Sequence, residues 1–152
     1  MQLQPHGSFE ILWRPPVLVV RYEGAWNEQA AMALHAQARL IWQEPIDGAW
    51  AMLTDATQWE GATPEAFDRW WDFFADAVRH GMVAVTDVLP SHFHEVLVKD
   101  LAVRAGQLAR HKTSPDLAEA WEWLGAQGFT PDPEAEPQRR LTLPARPALD
   151  QS

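Results

Sequence analysis

Apolar and polar positions alternate at Phe9, Ile11 and Trp13, then run almost unbroken through Val17-Leu18-Val19-Val20 to Arg21 and Tyr22. A period of two predicts a strand with one buried face, and a β-branched run predicts a strand covered on both. Pro15-Pro16 separates them and cannot donate to a ladder, so the pair is expected to be a hairpin whose first strand is a sheet edge. After Gly24-Ala25-Trp26, Asn27 stands as an N-cap, and Ala31, Leu34, Ala38, Ile41 and Trp42 recur at helical spacing until Pro45. Beyond the Asp47-Gly48 turn, Trp50-Ala51-Met52-Leu53 reads as a short buried strand ending at Thr54-Asp55.

A second helix starts with Thr63 as N-cap and Pro64 at its first position. It carries Phe67, Trp70, Trp71, Phe74 and Val78 on one stripe, and His80-Gly81 closes it. Met82 to Val88 predicts another interior strand. Pro90-Ser91 then opens a third helix carrying Phe93, Leu97, Leu101 and Leu108. Leu108 to Lys112 reads as the end of that helix or a last short strand. Thr113-Ser114-Pro115 is expected to begin a fourth helix with Leu117, Trp121 and Leu124 inward and Gly128 as its stop.

The order β-β-α-β-α-β-α-β-α predicts an α/β domain: a mostly parallel sheet of four to five strands, four helices and right-handed crossovers. From Thr130 the pattern dissolves, with prolines at 131, 133, 137, 144 and 147. Residues 1–129 are therefore expected to form one domain, and 130–152 a Pro-rich tail that is mobile or laid over its surface.

Composition narrows the functions open to this domain. Its 152 residues are enough to bury a core unaided, and the absence of cysteine excludes a thiol nucleophile, a disulfide scaffold and a thiolate metal site. A formal charge of -9, from 12 basic and 21 acidic side chains, disfavours nucleic acid and anionic membranes as partners. The opening residues lack a basic cluster followed by an apolar stretch, and Val17 to Val20 is too short to cross a bilayer, so the expected location is cytoplasmic.

The element order, taken with Glu23-Gly24-Ala25-Trp26-Asn27, Leu53-Thr54-Asp55, Thr63-Pro64-Glu65-Ala66-Phe67 and Glu119-Ala120-Trp121-Glu122-Trp123-Leu124, resembles the STAS-like (SpoIIAA-like) proteins of bacteria, over about Ser8 to Phe129. The resemblance implies a small non-enzymatic module for protein contact, nucleotide sensing or apolar ligand binding. Phosphorylatable members carry an Asp-Ser pair at the start of the helix after the central strand; this chain has Thr63-Pro64 there and no serine between Ser8 and Ser91. Thr63 is the matching candidate phosphoacceptor, although capping already gives its hydroxyl a structural task.

Motif by motif, catalysis finds little material. There is no Gly-rich phosphate loop, no G-x-S-x-G and no H-E-x-x-H, so no cofactor is implied. In His92-Phe93-His94-Glu95 a helix would set the two histidines about 200° apart, unable to face one metal ion, whereas an extended segment would let them share a side; a polar first helical turn is the expected reading, with no metal. Glu65, Asp68, Asp72 and Asp76 are expected to line a solvated helix face, which as a docking surface would select a basic partner.

Asp55 and Asp87 end predicted parallel strands, where open α/β sheets place their ligand crevice. Trp26 and Trp59, in the expected loops after the second and third strands, would approach the same end and wall a pocket. The ligand site expected from this pattern is Trp26, Asp55, Thr57, Trp59 and Asp87. The leading expectation is a binding or regulatory module, without catalysis, that takes a small apolar ligand there or a protein partner on neighbouring helices. The alternatives are an enzyme using Asp55 or Asp87 as acid/base, and a homodimeric interaction protein pairing through a strand edge or an aromatic helix face.

Overall fold

Pro15 and Pro16 occupy the turn between strands β1 (Ser8–Arg14) and β2 (Val17–Trp26), which pair antiparallel from Arg14↔Val17 to Ser8↔Glu23. The computed structural model describes residues 5–143. Helix α1 (Glu28–Trp42) follows, its Asn27 cap accepting the Ala30 N–H at 3.0 Å. Strand β3 (Trp50–Ala62), helix α2 (Pro64–Arg79) and strand β4 (Met82–Val88) come next. Gly81, at φ +107°, makes the tight turn into β4; a Cβ there would crowd the Trp50 indole at 3.2 Å.

Two short helices, α3 (His92–Leu97) and α4 (Lys99–Leu108), stand where the sequence predicted one. The axis breaks at Val98, which leaves the helical region as C-cap of one and N-cap of the other. Strand β5 (Arg110–Thr113) and helix α5 (Leu117–Ala126) complete the expected order. The cap of α5 is Asp116, whose carboxylate accepts the Glu119 N–H at 2.8 Å, rather than a residue of Thr113-Ser114-Pro115.

Among the described residues the strands form one sheet in the order β5-β4-β3-β2-β1-β6, where β6 is Arg139–Leu143. β2 to β5 are parallel, while β1 is antiparallel to both its neighbours. The last strand corrects two expectations. β1 is not an edge, and the stretch after Thr130 is not free as far as Leu143, because Arg139 to Leu143 pairs with Trp13 to Phe9. Pro144 and Pro147 of the expected tail lie outside the described residues.

The two faces of the sheet carry separate cores. On one, Ile11, Leu18, Val20, Met52 and Val85 meet α1 and α2, with Trp50 and Phe73 fully buried between them. On the other, Leu12, Val19, Ala51, Leu53 and Val88 meet Ala120 and Leu124 of α5. Beyond the reach of α5 this second face becomes polar. Glu10 bonds Arg21 at 2.9 Å and Arg140 at 3.0 Å, and Arg21 approaches Asp55 at 3.6 Å, a charge ladder running across four strands. No helix among the described residues is long and apolar enough to cross a membrane.

Candidate functional site

Trp26 and Trp59 do not stand in loops. Both belong to strands that outlast the sequence pattern, because β3 continues to Ala62 alongside the end of β2. The pairing shifts between Arg21 and Glu23 and again between Gly24 and Ala25, so β3 holds one extra residue at each place. These two irregularities change which side chains face inward. Thr54, Ala56, Trp59 and Ala62, spaced two, three and three apart, all line one cavity, where a regular strand would have turned Trp59 away from Ala56.

The cavity lies beneath α2 and α4 at the carboxyl ends of β2, β3 and β4, with a volume of about 60 Å³. Its walls are mainly Tyr22, Trp26, Trp59, Phe67 and Trp70, with Leu101, Ala102 and Ala105 of α4 above. Trp26 is buried against Tyr22 at 4.8 Å between ring centroids and donates its Nε1–H to the Glu23 carbonyl at 2.9 Å. Gly7, at φ +97°, lies directly behind it; a Cβ on that residue would overlap the indole. Trp59 meets Phe67 edge-on at 6.2 Å and the His94 ring at 5.3 Å.

Polar groups also reach the cavity. Trp70 donates its Nε1–H to the Tyr22 hydroxyl at 2.6 Å, and His111 Nε2 lies 3.0 Å from Asp87 Oδ2. Burial raises the Tyr22 hydroxyl well above the ordinary tyrosine value; Trp70's hydrogen bond opposes the shift and the charge of Asp87 adds to it. The phenol therefore keeps its proton. Asp87 Oδ1 is buried and has no hydrogen-bond partner among the described residues.

The expected convergence of Asp55 with Asp87 fails. In the β3–β4 register the residue opposite Asp87 is Thr54, and Asp55 is one position on, which turns it to the other face of the sheet. There Asp55 accepts the Thr57 N–H at 3.2 Å and hydroxyl at 2.7 Å, and joins the charge ladder through Arg21. Neither Asp55 nor Thr57 lines the cavity, whereas Trp26, Trp59 and Asp87 do. Thr63 lies at the exposed start of α2, its Oγ1 accepting the Ala66 N–H at 3.3 Å.

Tyr22 and His111 were missed by the sequence reasoning, though each left a signal. Tyr22 continues the inward alternation of Leu18 and Val20, and His111 alternates with the exposed Arg110 and Lys112. Around His94 the first turn of α3 is tied to protein groups: Nδ1 to Ser91 Oγ at 2.8 Å and Nε2 to the Glu60 carbonyl at 3.2 Å. Among the described residues no cluster of His, Asp or Glu has the makings of a metal site.

No family model matches the chain, and no curated protein does. Among solved structures the chain is similar to an uncharacterized DUF3478-family protein with a SpoIIAA-like fold from Shewanella loihica PV-4. The TM-score is 0.61 at 12% identity, covering 82% of this chain and 98% of that one. The fold is SpoIIAA-like, with a six-stranded sheet and five helices among the described residues.

Proposed function

We propose that this domain is a non-catalytic binding module that holds a small, largely apolar ligand in the cavity at the carboxyl ends of β2 to β4. The observation that supports it is the lining: five aromatic side chains and a row of alanines and leucines, with Thr54, Tyr22, Asp87 and His111 as the polar groups. Apolar walls with a few convergent polar groups are what small-molecule sites present, and strand ends are where open α/β sheets place them. Acid/base work by Asp55 and Asp87 together would need them to converge, and they stand on opposite faces.

The cavity is small. At about 60 Å³ it has less than half the roughly 150 Å³ that admits benzene in an engineered core. A ring-sized ligand therefore requires α4 to move outward, which its shallow packing permits, since Ala105 is its one buried residue.

Titration with benzyl alcohol, followed by the backbone and indole N–H resonances, tests this reading. The shifts are expected to concentrate on Trp26, Trp59, Trp70 and residues 98–105. Ala102→Trp, which fills the cavity from α4, should abolish them while the protein still unfolds cooperatively. Shifts scattered over the surface, or unchanged in Ala102→Trp, would remove the cavity from consideration.

A further inference from the structure

We infer that the cavity selects a small organic cation, most simply a protonated amine on a hydrocarbon body, with Asp87 receiving the ammonium and the surrounding aromatic rings enclosing the rest. The inference rests on the reading of the cavity as a ligand site and specifies which ligand that site takes.

Asp87 carries the argument. Its carboxylate is largely removed from water in a lining that includes neither lysine nor arginine. His111 serves Oδ2 at 3.0 Å, while Oδ1 is left without a hydrogen-bond partner among the described residues. A carboxylate has about four lone-pair sites, and an unserved oxygen in an apolar setting is costly, so the site is incomplete as it stands. Oδ1 is enclosed by protein, so an ammonium reaches it as the side chain turns part-way about its last bond, a soft rotation, when α4 moves outward to admit the ring.

Ligand classes differ in what they do for this group. A hydrocarbon leaves the oxygen unserved, and an anion brings like charge against it with neither lysine nor arginine in the lining to offset it, His111 being engaged by Asp87 itself. An alcohol supplies one neutral donor. An ammonium supplies a charge-assisted N–H bond and compensates the buried charge, the combination that makes such contacts the stronger ones. The walls suit the same choice, because Tyr22, Trp26, Trp59, Phe67 and Trp70 surround the lumen and aromatic faces attract cations. The formal charge of -9 adds a long-range pull in the same direction.

Three probes of similar size, benzylamine, benzyl alcohol and toluene, separate these possibilities. Binding to the full chain is measured by indole N–H shifts in about 0.3 M salt, where attraction to surface charge is screened and a buried contact is not. Benzylamine is expected to bind about tenfold or more tightly than benzyl alcohol, with toluene weakest. Asp87→Asn, which keeps the shape and removes the charge, should reverse or erase the preference for the amine. If that variant does not fold, the ranking on the unaltered protein decides alone.

Benzyl alcohol or toluene binding as tightly as benzylamine, with Ala102→Trp blocking all three, would overturn the inference and leave the ligand site standing. The same holds if Asp87→Asn folds and retains the amine preference. If none of the three moves the indole resonances, both the site and its selectivity are lost.

Discussion

Asp76 sits on α2 with its carboxylate buried among four cationic or imidazole groups. His35 Nε2 lies at 2.8 Å, Arg79 and His80 at 3.2 Å, and Arg39 at 3.8 Å. Burial alone would raise its pKa; the hydrogen bond from His35, with the charges of His35, His80 and Arg79, outweighs burial and holds the carboxyl below its ordinary value. A carboxylate with a lowered folded value stabilises the protein fully above the unfolded value of about 3.9 and loses that contribution as pH falls through the folded one. Asp76→Asn should therefore cost about 1–3 kcal/mol at neutral pH, and the gap from the unaltered protein should close below about pH 4. Urea denaturation at a series of pH values checks this, and a pH-independent gap would refute it. Spacing placed Asp76 with Glu65, Asp68 and Asp72 on a solvated face, but its neighbours His35 and Arg39 come from α1, which packs over that side of the helix. Helical periodicity gives a residue's angle around its own axis, not the width of the element that will cover it.

At the scale of elements, α3 and α4 are the least anchored part of the domain. α3 has no buried residue, and Phe93 is 67% exposed, with Leu97 and Leu108 also exposed. Leu101 alone of that predicted stripe reaches the cavity. The interruption at Val98 resets the helical phase, so a stripe drawn for one continuous helix describes neither piece. Helices held by so few buried contacts open locally at small cost. Amides of 92–108 are expected to exchange hydrogen at least about tenfold faster than those in the middle of α1 and α2, and a ligand in the cavity should slow them. Equal protection across all four helices in an exchange experiment would contradict this. The strands teach a related lesson: Trp50 to Asp55 was legible as a buried run, but the continuation to Ala62 was hidden because the extra residues in β3 break the period-two pattern that marks a strand.

For the whole molecule, the α/β order and the parallel centre of the sheet were legible because each element carried its own periodicity and stop signal. The sixth strand was not, since Pro137 and Pro144 flank it and gave the region the composition of a tail. Its signal is short: Leu141 and Leu143 alternate with Arg140 and Thr142 and turn to the side where α1 and α2 pack. Covering β1 removes an open row of backbone donors and acceptors, and the far edge, β5, is four residues long and basic. A chain ended after Gln138 should associate with rising concentration in light scattering, by pairing through the uncovered β1; a monomeric truncated chain would show that β6 is dispensable as a guard. The segment before β1 has an influence of its own. Because the indole of Trp26 rests on the bare α-carbon of Gly7, a methyl group at position 7 would drive the ring toward the lumen. The capacity of the binding chamber is thus set in part from behind its wall, and a change outside the lining could shrink it without altering any atom a guest would touch.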